Sequence, residues 1–276
     1  MRIIILLFLC STYAFAQKVY QKIPFENGKL ESEGWIENTI KTDFWKSYHQ
    51  NGQLSEAGHF KNGKRDGFWE FYNTKGKLIK EGHYTNGLKT GYWVINNSIY
   101  NIEKGNYSND KRTDYWEIYN SNGNLKSDGH YKNGLKVGFW KSYYSTGIVK
   151  DEGHFINGKA SGYWKFYFEN GALEKDGEFK LDTFVGYWQY YQPNGNKASE
   201  GHFVNGKRSN WWLFYDTNGK INHKCQLSNN QKNGYCLKYT NEKLTSAVKY
   251  SKGERIKEWT DLKSFKKENK LSDLKS

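Results

Sequence analysis

The sequence predicts an all-β protein, an elongated antiparallel β-meander or solenoid of two-stranded hairpin repeats of 23–24 residues, with a short C-terminal helical cap. Three observations predict it. First, Trp45, Trp69, Trp93, Trp116, Trp140, Trp164, Trp188, Trp212, Cys236 and Trp259 follow one another at separations of 24 or 23 residues, the mark of an internal repeat. Second, each unit holds two turn signals, most often Asn-Gly, bounding short runs such as "FWEFY" and "EGHY" that are rich in β-formers. Third, aromatic residues make up 18% of the chain, with 22 Tyr and 11 Trp but only 2 Pro and 1 Met. Large aromatics fit a pleated, half-wet surface, and no thick core of Leu and Ile is indicated.

Each element of the unit has a reason. A Gly-aromatic-Trp opening is followed three residues on by Tyr, as at Tyr48, Tyr72, Tyr119, Tyr143, Tyr167, Tyr191 and Tyr215. The first turn comes next. In Gln192-Pro193-Asn194-Gly195, Pro supplies the fixed φ of a type I turn and Gly the left-handed residue of a bulged hairpin. A Gly-His-aromatic triplet forms the second strand, and a second Asn-Gly turn leads to the next Gly-aromatic-Trp. Nine such units give about eighteen strands, which at roughly 4.8 Å per strand would extend about 85–90 Å. Because bulges shift the alternation of side chains, the sequence leaves open which sheet face each Trp covers. A unit this short cannot bury its own aromatic face, so each leans on its neighbours.

The organisation follows: residues 1–16 as a signal peptide, 17–44 as a partial N-terminal repeat, 45–259 as nine tandem repeats, and 260–276 as a tail. The partial repeat is visible in "NGKLESEG", Asn27 to Gly34, which matches "NGQLSEAG" at Asn51 to Gly58. In the tail, Trp259, Leu262, Phe265, Leu271 and Leu274 recur at near-helical spacing, predicting a short amphipathic helix. At the other end, Arg2, the apolar run "IIILLFLC" and the triplet Ala14-Phe15-Ala16 read as a secretory signal cut before Gln17. The run is too short to span a bilayer as a helix, and Leu9 is too large for the lipid-anchoring type of processing at Cys10. The expectation is an exported protein, periplasmic, cell-surface or extracellular, with no transmembrane segment in the mature chain.

The units resemble the MORN repeat, and more closely its bacterial variant, the YwqK-like antitoxin family. The residues carrying the resemblance are Gly67-Phe68-Trp69, Tyr72, Leu78, Gly82, Tyr84 and Asn86-Gly87, with equivalents from Asn27 to Trp259. The resemblance implies a scaffold or membrane-proximal binding platform, and the antitoxin label implies a toxin-partner or immunity-like role. A signal peptide removes the chain from the cytoplasm, which sits badly with toxin neutralisation there.

Candidate chemistry is sparse. His59, His83, His130, His154 and His202 share one unit position, but equivalents lie two strands apart, roughly 9.5 Å, too far to ligate one zinc ion. Asn106 and Glu178 interrupt the series, so a solvated polar stripe is expected and no metal site. The pattern G-x-x-x-x-G-K occurs at Gly58–Lys64, Gly153–Lys159 and Gly201–Lys207, but never with the following Ser or Thr of a phosphate-binding loop. No cofactor is expected. There is no G-x-S-x-G, C-x-x-C or H-E-x-x-H, and a surface presented nine times over offers no asymmetric catalytic constellation. The expectation is a protein that is not an enzyme.

Two further features bear on binding. Cys225 stands where other units have Gly and Cys236 where they have Trp. In an oxidising compartment these predict a cross-strand disulfide in place of aromatic packing, the alternative being two buried thiols. The formal charge is +13, or +12 without Arg2. Lys64, Arg65, Lys89, Lys111, Arg112, Lys136, Lys159, Lys207 and Arg208 all follow the second turn, predicting a basic ladder along one edge. Its partners would be an acidic glycan or an anionic envelope or membrane surface; otherwise the charge keeps sheet edges from pairing. Nucleic acid is disfavoured, since an exported chain seldom meets it. The Trp residues are read as repeat-packing aromatics, with sugar stacking as the alternative. The leading functional expectation is an interaction scaffold for a protein or envelope component.

Overall fold

The structure, a computed structural model, describes residues 17–97 and 101–274. Residues 1–16, where a signal peptide is expected and which include Cys10, lie outside the described residues, as do residues 98–100. The architecture is all-β: twenty-one strands in an open antiparallel meander, followed by an α-helix at Leu262–Glu268 and a 3-10 turn at Leu271–Leu274. Eighteen strands belong to the nine repeats; the partial repeat adds Val19–Pro24 and Leu30–Glu37, and the last hairpin adds Glu254–Trp259. The chain divides into two compact units, residues 1–96 with 107–110, and residues 97–106 with 111–276.

In seven of the nine repeats, one strand carries Trp and the next carries Gly, as in Lys64–Tyr72 and Leu78–Thr85. The second turn is a two-residue hairpin in which both residues have positive φ, such as Asn62 (51°) and Gly63 (73°). This is the mirror-image turn whose twist matches that of the strands, and it explains the recurring Asn-Gly. The first turn is also as its residues require: Gly195 has φ of 87° and its N–H donates to the Gln192 carbonyl at 2.8 Å. Turns also tie repeats together. The Gly63 N–H donates to Lys41 O at 3.0 Å, Gly158 to Lys136 O at 2.8 Å, and Asn51 Nδ2 to Thr74 O at 2.6 Å.

The core is a row of indoles. Trp45, Trp69, Trp93, Trp116, Trp140, Trp164, Trp188 and Trp212 are all nearly fully buried, at 0–5% exposure. They share one sheet face with the aromatic two residues beyond the repeat glycine: Trp69 meets Phe60 edge-on at 5.0 Å and Trp93 meets Tyr84 at 5.1 Å. A single sheet can bury an indole this deeply because each ring lies flat on the glycine of the preceding strand. A Cβ at Gly82 would stand 2.2 Å from the Trp93 ring, and at Gly58 2.3 Å from Trp69. Each buried Trp removes roughly 150–250 Å² from water, about 4–6 kcal/mol before entropy is counted.

A bulge sets the geometry. Gly58 pairs with Trp69, but His59 pairs with Asp66, so Gly67 and Phe68 form an excursion on the Trp strand. Gly67 takes φ of 83°, and the equivalent residues Asp43 (52°), Asp114 (59°) and Asn210 (63°) are of the types that tolerate this region without glycine. The bulge frees the carbonyl of the residue after the repeat glycine, and the indole N–H takes it. Trp69 Nε1 donates to His59 O at 3.0 Å, Trp140 to His130 O at 3.0 Å and Trp212 to His202 O at 3.1 Å.

Trp259 departs from the expected role. It pairs with Ala247 rather than with Val248, because its hairpin has a single-residue shift between Lys249 and Tyr250 instead of the two-residue excursion. One residue fewer turns the side chain to the opposite face, where it packs on Phe265 of the helix at 5.4 Å and on Tyr235. Phe265 is the buried residue of that helix, whose start is capped by Asp261 accepting from the Ser264 N–H at 2.8 Å.

Gly82→Ala should therefore cost about 1–3 kcal/mol in urea unfolding, the overpacking range. Gly123→Ala, where nothing lies within 4 Å but φ is 88°, should cost only the backbone strain of that region, about 1 kcal/mol.

Candidate interaction face

The face opposite the tryptophans is where the repeat leaves side chains in solvent. The aromatic immediately before each Trp points there by strand alternation. In the first unit these are Phe44, Phe68 and Tyr92, 41–53% exposed; in the second Tyr115, Phe139, Tyr163 and Tyr187 are 42–51% exposed and Trp211 is half-buried. The five serial histidines, His59, His83, His130, His154 and His202, lie on this face too, all exposed. Each stands edge-on to an aromatic: His59 to Phe44 at 5.1 Å, His83 to Phe68 at 5.1 Å, His130 to Tyr115 at 5.3 Å, His154 to Phe139 at 5.2 Å and His202 to Tyr187 at 4.9 Å. The face is thus ridged with aromatic–histidine pairs, which sequence reasoning missed. The signal was present, since the residue preceding Trp is itself aromatic in almost every repeat, but without the bulge its direction was open.

Beside the ridge runs a row of phenol–carboxylate hydrogen bonds. Tyr48 donates to Glu33 and Tyr167 to Glu152, both at 2.7 Å; Tyr215 donates to Glu200, Tyr115 to Asp128 and Tyr163 to Asp176. Burial, reinforced by the bonded carboxylates, pushes the phenols of Tyr48, Tyr167 and Tyr187 up to about 12. The hydrogen bond from Tyr48 holds Glu33 below the usual carboxylate range.

The nine basic residues do not form one edge ladder. Lys64, Lys111, Lys159 and Lys207 are exposed beside the second turn. Arg65, Lys89, Arg112, Lys136 and Arg208, one residue further along, lie over the buried indoles. Arg65 stands 4.7 Å from the Trp69 ring, Lys89 4.9 Å from Trp93, Arg112 4.5 Å from Trp116, Lys136 4.0 Å from Trp140 and Arg208 4.3 Å from Trp212. Strand alternation decides this, since adjacent residues point to opposite sides. These cations cover the tryptophans, each contact worth about 0.5–2 kcal/mol, and Arg65 is further held by Glu56 at 2.7 Å. Where Phe184 takes the cation's place, its ring packs on Trp188 at 4.3 Å instead.

The structure joins Cys225 and Cys236 by a disulfide. The two are directly paired across adjacent strands, at the glycine and tryptophan positions, so the bridge occupies the place of an indole lying on glycine. Among the described residues, no group of three or more His, Cys, Asp or Glu could hold a metal ion. The three G-x-x-x-x-G-K stretches are hairpin turns whose glycine N–H groups are already bonded to backbone carbonyls, Gly206 to Phe184 O at 2.9 Å for example. Among the described residues, no helix is long and apolar enough to cross a membrane.

Comparison with known proteins bears on this repeat. The MORN repeat variant matches residues 45–62, 65–86, 115–133, 136–157, 161–181 and 184–205. The chain is a MORN-repeat protein, of a class that is generally non-catalytic and works by binding. No curated protein matches it. Among solved structures it is similar to a porin-like protein from Bacteroides uniformis, at 8% identity over 88% of this chain and 91% of that one, with a TM-score of 0.16. It is also similar to the Photorhabdus luminescens Tc holotoxin pore, at 9% identity over 85% of this chain and 18% of that one, with a TM-score of 0.12. Scores this low carry no argument about this chain.

The raised phenols define a pH response. A group that holds its proton more tightly folded than unfolded contributes stability that is intact below its unfolded value, about 10 for tyrosine, and is lost as pH climbs toward the folded value. For Tyr48, Tyr167 and Tyr187 that window runs from 10.0 to about 12. A spectrophotometric titration should resolve a tyrosinate class rising in that window, with β-sheet circular dichroism falling alongside it.

Proposed function

We propose that this chain is an exported, non-catalytic scaffold that binds a protein or envelope component through the aromatic–histidine face. The observation that carries the reading is the division of labour between the two faces. The tryptophans, the repeat glycines and five of the basic residues are used up in packing, while Phe44, Phe68, Tyr115, Phe139, Tyr163 and Tyr187 remain in solvent. Large half-exposed aromatics on rigid strands are what interfaces use as anchors, because they bring area at little entropic cost. Export is supported by the sequence of residues 1–16 and by the Cys225–Cys236 bridge, which belongs in an oxidising compartment.

A second reading, a module for acidic glycans or an anionic envelope surface, is favoured by the exposed Lys64, Lys111, Lys159 and Lys207. One experiment separates them. The mature protein, immobilised and exposed to envelope extract of the producing cell, should retain a single protein. The double variant Phe139→Ala/Tyr187→Ala, with unchanged circular dichroism, should retain at least tenfold less. Recovery of polysaccharide, lost when the four lysines are replaced by Gln, would establish the second reading. Equal capture by wild type and the aromatic variant would refute the first.

A further inference from the structure

At Glu178, in the second unit, the exposed face departs from the repeat in a way that builds a site. In five repeats a histidine ring stands against the exposed aromatic. In the repeat that opens at Tyr163 the histidine position is Glu178, directly paired with Tyr163 across the strands. Without a ring there, a hollow of about 340 Å³ opens, lined by Tyr163, Asp176, Glu178, Tyr187 and Gln189. Its two tyrosines are 51% and 42% exposed, whereas Asp176 is only 7% exposed.

The two carboxylates of this hollow differ, Glu178 being exposed to solvent and Asp176 buried. Asp176 Oδ2 accepts from the Tyr163 hydroxyl, but its Oδ1 has no hydrogen-bond partner. Among the described residues neither Asp176 nor Glu178 forms an ion pair, although Lys165 lies directly across from Asp176. Gln189 does not serve it either, since its amide donates to Glu200 at 3.1 Å and its oxygen accepts from Tyr191. A carboxylate oxygen buried without a donor is costly, and here it stands in a chain whose formal charge is +13.

We propose that this hollow receives a cationic N–H donor, the guanidinium of an arginine or the ammonium of a lysine presented by a protein partner. The inference rests on the scaffold reading and names what the partner must offer. Two tyrosine faces attract a cation through their ring quadrupoles, the exposed Glu178 carboxylate takes a charge-assisted hydrogen bond from it, and the buried Asp176 beside it adds negative charge. A neutral sugar ring could meet the tyrosines but would leave the carboxylates uncompensated, and an anion would be repelled.

The test uses the whole mature protein and three small probes followed by NMR titration: N-acetyl-arginine methylamide, N-acetyl-lysine methylamide and the neutral isostere N-acetyl-citrulline methylamide. One cationic probe should bind saturably and at least tenfold more tightly than citrulline, and the better of the two identifies the partner's side chain. Glu178→His installs the residue that five other repeats carry, so the fold is kept, and it should weaken that binding at least tenfold; Asp176→Asn should do likewise. Equal affinity for arginine, lysine and citrulline probes, absence of saturable binding, or binding undiminished in Glu178→His would overturn the site. If the envelope partner is still captured while the probes fail, the site falls and the scaffold reading stands; loss of capture alone would do the reverse.

Discussion

An indole lying flat against a glycine is the contact from which the rest of this molecule follows. A lone sheet has no second layer to cover an aromatic row, so burial must come from within the sheet, and only a residue without a Cβ lets the ring approach closely enough. That approach requires the glycine-bearing strand to turn one carbonyl toward the indole nitrogen, and the two-residue excursion on the Trp strand frees it. The excursion in turn requires a residue at positive φ, which is why Gly, Asp or Asn precedes the aromatic-Trp pair. In most repeats a cation, or at Trp188 the Phe184 ring, then covers the outer side of the indole. The Cys225–Cys236 bridge occupies the same pair of positions, so one covalent bond stands where a ring would otherwise rest on glycine.

This dependence explains why the two faces differ so sharply. The tryptophans, and five arginines and lysines that a charge count alone would place on an outer rim, are committed to holding the sheet together. The opposite face has no such duty. Its aromatics are held at the rim of solvent by histidine rings, and Glu33, Asp128, Glu152, Asp176 and Glu200 accept from phenols, so it is ordered without being closed. Departures from the repeat on that face alter the surface offered to a partner. A histidine replaced by Glu178 changes what can bind, whereas Phe184 in place of a cation changes only how an indole is covered.

Much of the fold was legible in the sequence because its causes are local. Asn-Gly pairs, the Gln192-Pro193-Asn194-Gly195 turn and the 24-residue spacing of tryptophans each encode a backbone conformation within a few residues. The tail helix, centred on Phe265, was legible for the same reason. The face of each tryptophan was not, because it depends on how many residues a bulge absorbs on a neighbouring strand. The same ambiguity hid the exposed aromatics beside the tryptophans and put Arg65, Lys89, Arg112, Lys136 and Arg208 on an edge they do not occupy. Trp259 shows the sensitivity most clearly, since a bulge shorter by one residue sends it to the other side. Glu178 was visible as an interruption of the histidine series, but nothing in the sequence said that a hollow would open there.

The reversal at Trp259 also limits how such an array can lengthen. A duplicated unit inserted anywhere upstream of Cys236 finds an indole row ready to accept it. One appended after the strand Lys243–Ser251 would meet a neighbour whose large ring faces the wrong way, already sealed beneath Phe265. In lineages where copy number varies, gains and losses would accumulate in the interior of the chain, and the final hairpin with its helix would be inherited as one indivisible stop.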